Sequence, residues 1–249
     1  MSGHSKWSTI KHKKGAADAK RGQLFTKLSK AIIVAAKEGG PDPAANLSLQ
    51  NAVEKAKSYS MPKDTIERAI ARGSGADADA AAFETIVYEG YGPSGVAVLV
   101  EALTDNRNRT GSEVRHTFSK HGGNLGEPGS VAYLFDKRGL IVVDAARYAE
   151  DDLLPAIEAG ALDVSVDDDV FEILTEPADL TAVRAALEDA GVELESAELS
   201  QHPKTRVPID EDVATKLMRL IDALEDNDDV DDVHANFDVD AAVLERVAG

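Results

Sequence analysis

Residues 140–200, LIVVDAARYAEDDLLPAIEAGALDVSVDDDVFEILTEPADLTAVRAALEDAGVELESAELS, decide the fold. "LIVVD" is a short apolar run with strand length, and "AEDDLLPAIEAG" changes to helical spacing and stops at a glycine. "LDVSVD" and "VFEILT" return to a period of two, "PADLTAVRAALEDAG" is helical again, and "VELESAELS" is a last strand. The order is β-α-β-β-α-β, the ferredoxin-like split arrangement.

The flanks of this unit complete one another. Upstream, "FETIVYEGYGPSGVAVLVEALT" reads as strand, turn, strand. "NRNRTGSEVRHTFSKHGG" reads as a helix closed by Gly122 and Gly123, and "SVAYLF" as a further strand. That ββαβ set is an incomplete sandwich. Downstream, "DEDVATKLMRLIDALED" and "VDDVHANFDVD" supply the missing helix and strand. The 138–205 unit is therefore expected to be inserted into a discontinuous middle domain, 83–137 plus 206–240, with "HPKTRVP" at 202–208 as the return linker. "SGADADAAA" at 74–82 reads as a linker.

Residues 1–75 read as a basic helical domain. "GQLFTKLSKAIIVAAKE" carries Leu24, Leu28, Ile32, Ala35 and Ala36 at helical spacing and ends at "GGP". Asp42 is expected to cap a second helix with Pro43 at its first position, running to about Ser58. "MPKDTIERAIARG" is a third helix, with Gly73 as its C-terminal glycine. The fold class is thus α+β multidomain: a helical N-terminal domain followed by two ferredoxin-like α/β sandwich domains, one inserted in the other.

Charge is distributed unevenly along the 249 residues, whose formal net charge is -18. Up to Gly73 the net is +8, and from Ser74 onward it is -26. Met1 to Lys30 holds eight Lys/Arg against one acid, Asp18. One end of the molecule should attract polyanions and the rest repel them. The absence of cysteine excludes disulfides and thiolate-bound zinc. The apolar runs "AIIVAA" and "GVAVLV" are too short to span a bilayer, so a cytoplasmic protein without membrane partners is expected.

Several motifs divide into those that carry chemistry and those that do not. "GYGPSG" at 90–95 matches a dinucleotide fingerprint by letter, but a strand follows it where a helix is required, so it reads as a hairpin connection. The acidic stretch 225–238 lacks the glycine and glutamate of a calcium loop and reads as a solvated turn. The histidines have neither a metal-ligand spacing nor a nucleophile or acid beside them. No catalytic residue, metal, cofactor or small-molecule substrate is therefore expected.

Two stretches point to phosphate. In the arm, His4, Lys6, Lys11, His12, Lys13, Lys14, Lys20 and Arg21 surround Trp7, the only tryptophan. Cations there would displace counterions and an indole would stack on a base. Lys20, Lys27, Lys30 and Lys37 fall within an arc of about 100° on the following helix. In "TDNRNRTG", Arg107, Asn108 and Arg109, with Arg115 a few residues on, stand at a strand-to-helix turn. A guanidinium at a helix N-terminus suits phosphate, and pairing with nearby carboxylates is the alternative.

"GHSKWSTIKHKKGAADAKRGQLFTKL", "AVEKAKSYSMPKDTIERAIARGSG", "YEGYGPSGVAVLVEALTDNRNRT" and "EVRHTFSKHGGNLGEPGSVAYLF" together resemble the YebC-type family. Ala102 stands where many relatives carry cysteine, and it reads as a small buried strand residue. The resemblance implies a helical first domain and two α+β domains, one inserted in the other. Bacterial members are called transcriptional regulatory proteins and mitochondrial members translational activators. Some are described as binding promoter DNA, others as associating with the ribosome and relieving stalls. It implies contacts at the arm from His4 to Lys30 and at the Arg107–Arg115 turn. No helix-turn-helix, zinc finger or basic zipper is visible, and a long cationic arm suits folded RNA. The expectation is a non-enzymatic nucleic-acid-binding regulator acting on RNA or the ribosome. A DNA-binding transcriptional regulator is the first alternative, and an acidic protein-binding adaptor the second.

Overall fold

The apolar side of helix α1 (Asp18–Gly39) buries Leu28, Ile32, Ala35 and Ala36. Their partners are Leu49, Val53 and Ala56 of α2 (Leu47–Ser58) and Ile66 and Ala69 of α3 (Lys63–Ala71). The computed structural model describes Trp7 and residues 18–76, 83–167 and 169–248.

Two helix ends differ from expectation. The cap of α2 is Asn46, whereas Asp42 forms an Asx turn by accepting from the Ala44 N–H at 3.0 Å. The Asn46 carbonyl accepts from Leu49 N at 3.1 Å, while its amide donates to the carbonyls of Ala35 (2.7 Å) and Gly40 (2.9 Å). A buried position between two helix ends needs both a donor and an acceptor, which aspartate does not offer. At the end of α3 the positive φ belongs to Gly75 (+104°). Gly73 serves close approach instead, because a Cβ there would strike the Ile33 carbonyl oxygen and the Ala36 side chain.

The first sheet joins β1 (Glu84–Tyr91), β2 (Ala97–Thr104), β3 (Asn124–Leu125) and β9 (Val230–Ala235) in the order β3-β1-β2-β9, with every pair antiparallel. In "GYGPSG", Gly90 and Tyr91 end β1 and residues 92–95 make the hairpin turn toward β2. Helices α4 (Arg107–Lys120) and α7 (Glu211–Glu225) bury Val114, Phe118, Leu217 and Ile221 against Val98 and Val100. Ala102 is fully buried on β2.

"SVAYLF" is not a strand of this sheet. Its middle is a 3-10 turn, Ala132–Leu134, and the edge position is taken by β3. Buried Glu89 on β1 is the cause: its carboxylate accepts from the N–H groups of Gly129 (2.6 Å), Val131 and Ala132 (both 2.7 Å). Burial pushes that carboxyl up, and the three backbone donors outweigh burial and hold it below its ordinary value.

The chain then runs directly into β4 (Phe135–Asp144). With α5 (Leu154–Glu158), β5 (Asp163–Asp167), β6 (Val170–Thr175), α6 (Leu180–Asp189) and β7 (Ser196–Pro203) it builds the second sheet, in the order β5-β6-β4-β7. All its pairs are antiparallel, and the order is the ferredoxin-like one expected from β-α-β-β-α-β. The core lies between this sheet and its two helices, with Ile141, Ile173, Leu153, Val183 and Leu187 buried.

After β7 the chain pairs β8 (Val207–Pro208) in parallel with β10 (Phe237–Asp238), and ends in a helix that periodicity did not suggest, α8 (Ala241–Ala248). Leu244 of α8 is fully buried, and Arg246 pairs with Glu211 at 2.6 Å. Among the described residues no helix is long and apolar enough to cross a membrane.

Candidate nucleic-acid interface

His4, Lys6, Lys11, His12, Lys13 and Lys14 lie outside the described residues, and so do the side chains of Lys20 and Arg21 on α1. Trp7 is described, and it corrects the reading of an exposed stacking platform. Its indole is only 4% exposed, inside the core formed by β2, α4, α7 and β9. An aromatic ring of that size removes more apolar area from water than any other side chain, and a core position uses all of it.

The lysine arc on α1 is also placed differently. Lys27 Nζ donates to the Glu225 carbonyl, and Lys30 Nζ donates to the Asp228 carbonyl and meets Asp229 Oδ1, both at 2.9 Å. Gln23 reaches the Asp226 carbonyl (2.8 Å) and Asp228 Oδ1 (2.9 Å), and Lys37 the Phe83 carbonyl (3.0 Å). The acidic stretch after α7, expected to be solvated, is thus the receiver of the helix's cations. Burial lowers the Lys27 ammonium from its ordinary value, although the acids Glu225, Asp231, Asp228 and Asp226 pull it the other way. Three further ion pairs extend this seam from α2: Lys55 with Glu198 (2.9 Å) and with Asp232 (3.5 Å), and Glu54 with Arg184 (2.9 Å).

Asp229 is the centre of the seam. Its side chain is 7% exposed, its backbone carbonyl accepts from Leu103 N at 2.7 Å, and its Oδ2 lies 2.8 Å from the Thr110 hydroxyl and 3.2 Å from that of Thr104. Arg109 closes the set by donating to Asp229 and, at 3.0 Å, to Asp105. Burial alone would raise the Asp229 carboxyl, but hydrogen bonds from Arg109, Lys30 and Thr110 hold it at about 2. For Arg109 the carboxylate-pairing alternative is the one realised. No sequence pattern singled out Asp229 among its acidic neighbours; the nearest signal was the polar pair Thr104 and Thr110 flanking a strand-to-helix turn.

The remaining residues of that turn do come together. Asn106 caps α4 by accepting from Arg109 N at 3.1 Å, which fixes the direction in which the first turn presents its side chains. Arg107, Asn108, Ser112 and Arg115 line one open groove of about 350 Å³, together with Val87, Tyr88 and one exposed acid, Glu127. Asn108, Ser112 and Arg115 follow one another at helical spacing and so share a face. Arg107 is 68% exposed, with its nearest acid, Glu84, 3.7 Å away, and Asn108 and Arg115 are exposed as well. The Tyr88 hydroxyl donates to the Arg107 carbonyl at 3.3 Å. Two exposed guanidiniums and an amide along one side of α4 form a surface whose donors suit phosphate oxygens, while the Ser112 hydroxyl is held by the Asn108 carbonyl at 2.8 Å.

A three-helix layer joined to two antiparallel sheets, with an arginine-bearing groove on the first, defines a class of multidomain α+β protein with cationic and acidic faces. Residues 5–76 match the TACO1/YebC protein N-terminal domain and residues 83–237 the TACO1/YebC second and third domain. The chain belongs to the TACO1/YebC family. It is 58% identical over 250 residues to a "Probable transcriptional regulatory protein" of Rubrobacter xylanophilus, with all of both chains covered. It is 55% identical over 251 residues to the protein of that name from Persephonella marina, again with all of both covered. Among solved structures it is similar to a conserved hypothetical protein, Aq1575, of Aquifex aeolicus: 50% identity, TM-score 0.79, 90% of this chain and 92% of that one covered.

Proposed function

We propose that the chain is a non-enzymatic nucleic-acid-binding regulator of gene expression, which engages RNA on the ribosome as a translation factor that relieves stalling. The observation that carries this reading is the groove on α4, where Arg107, Asn108 and Arg115 converge on the surface of a part of the chain whose net charge is -26. A local cationic face on an acidic body directs a polyanion to one place and suppresses adhesion elsewhere. The contacts assigned are the basic residues of the arm, His4 to Arg21 without Trp7, together with Arg107, Asn108 and Arg115. Three units carry this arrangement: 1–75 as the basic helical domain, 83–137 with 206–240 as the middle domain, and 138–205 as the insert.

Sucrose-gradient co-sedimentation with ribosomes across a salt series tests the reading. The intact chain should travel with ribosomes and fall off as salt rises. A variant with Lys11, Lys13, Lys14, Lys20 and Arg21 changed to Glu should stay at the top. Arg107→Gln with Arg115→Gln should lower the slope of log K against log salt by about 1–2. If the intact chain stays at the top at low salt, the ribosome reading is wrong.

The words "transcriptional regulatory protein" carried by the relatives favour a second reading, control of transcription through DNA. Binding to a promoter-length duplex by the same basic residues, without co-migration with ribosomes, would select it.

A further inference from the structure

The insert carries a second surface that the nucleic-acid reading leaves unused. From Tyr148 to Val183 the sequence has eleven acids and no Lys or Arg. The bases that bound this stretch are already engaged: Arg147 with Glu193 at 2.7 Å, and Arg184 with Glu54 at 2.9 Å and Glu188 at 3.0 Å. Glu150, Asp151, Asp152 and Glu158 are exposed and have no cation paired with them among the described residues.

Inside this acidic field stand four large apolar side chains: Leu154 (52% exposed), Ile157 (55%), Leu162 (53%) and Val166 (62%). Their placement follows from the fold. Leu153, just before α5, and Ala156 turn into the core, so Leu154 and Ile157, each about 100° further round and three residues apart, share the flank beside it. Leu162 precedes β5 in register, its N–H donating to the Leu174 carbonyl at 2.7 Å, so Leu162, Val164 and Val166 lie on one face of the strand. Val164 packs against the core beneath the helices, which places Leu162 and Val166 on the helix side of the sheet as well. β5 is the edge strand, and nothing in the described chain continues the sheet beyond it.

We propose that this helix-side edge of the insert is a docking surface for a Lys/Arg-rich amphipathic helix of another protein. Its apolar side would cover Leu154, Ile157, Leu162 and Val166, and its cations would face Glu150–Asp152 and Glu158. Charge selects this occupant. A polyanion or an anionic lipid surface is repelled by the rim. A second copy docked through the same patch would set acids against acids, because a two-fold interface places each patch on its own image. Addition of a strand to β5 is disfavoured by its five-residue length and by the exposed Asp163 at its start. A helix laid over the apolar face needs neither strand edge nor free backbone groups.

The test uses the full chain and a synthetic amphipathic Lys/Leu peptide with its leucines along one helical face. A peptide of the same composition in scrambled order is the control. Binding is read by fluorescence anisotropy and its location by amide chemical-shift changes. Shifts concentrated at 150–167, with Leu154→Ser/Ile157→Ser and Glu150→Gln/Asp151→Asn/Asp152→Asn each weakening binding about tenfold or more, are expected. The altered residues are exposed, and Asp152→Asn keeps an oxygen to accept from the Ala149 N–H, so thermal melts of the variants should stay close to the parent. Equal binding of the scrambled peptide, shifts centred elsewhere, unchanged affinity in either variant, or no binding each overturns the proposal. So does sedimentation showing self-association that Leu154→Ser/Ile157→Ser abolishes, which would assign the patch to a second copy.

Discussion

Asp229→Asn should separate the helical layer from the body energetically without altering its shape. The carboxylate receives Lys30, Arg109 and two threonine hydroxyls while nearly excluded from water. Its pKa is held at about 2 against an ordinary 3.8. At about 1.4 kcal/mol per unit, the ionised form gains roughly 2 kcal/mol in the folded state. Because the folded value is the lower one, that stability is present at neutral pH and is lost as pH falls from about 4 through 2. The asparagine variant should unfold in urea with about 2 kcal/mol less stability at pH 7, and should lack the parent's extra slope between about pH 4 and 2. A double-mutant cycle with Lys30→Met should show a coupling of about 1 kcal/mol or more. A variant within about 0.5 kcal/mol of the parent at pH 7, or one that keeps the acid slope, would refute the role of this carboxylate as the joint.

Asp231, two residues away, should behave in the opposite sense. Burial pushes its carboxyl up to about 6, with Lys55 only partly offsetting this. The folded state therefore takes up the proton first, and lowering pH from about 7 to 4 stabilises this site. Asp231→Asn should raise the melting temperature at pH 7, and the gain should vanish near pH 4. Trp7 is a single intrinsic probe: its fluorescence in the native chain should be blue-shifted and poorly quenched by acrylamide. Emission at the position of free indole, or strong quenching on adding RNA, would show the ring exposed.

The part of the fold that sequence patterns conveyed best is the stretch from β4 to β7, because all six of its elements have clear periods. Its strand order follows once β-α-β-β-α-β is recognised. The errors cluster where a single polar side chain overrides a pattern. Glu89 gathers three backbone N–H groups and turns "SVAYLF" into a loop, although its composition suits a strand. Asn46 takes the cap expected of Asp42 because it also satisfies the carbonyls ending α1. Neither effect has a local signature: in both, the groups being satisfied belong to another stretch of chain.

The candidate site shows the same limit in electrostatic form. A count of charges along the chain treats each lysine as available to solvent, and on that count α1 belonged to the binding face. Yet a carboxylate buried as Asp229 is needs cations beside it, and those carried by the same molecule supply them. Lys27, Lys30, Lys55 and Arg109 are used in that way, while Arg107 and Arg115, on the outer face of α4, are not drawn into the seam. Residues 107 and 109 differ by only two positions, but on a helix that is about 200° of rotation, enough to turn one guanidinium toward Asp229 and leave the other over the groove. The division between structural and available cations is therefore set by helix phase relative to Asp229, a quantity that net charge does not contain.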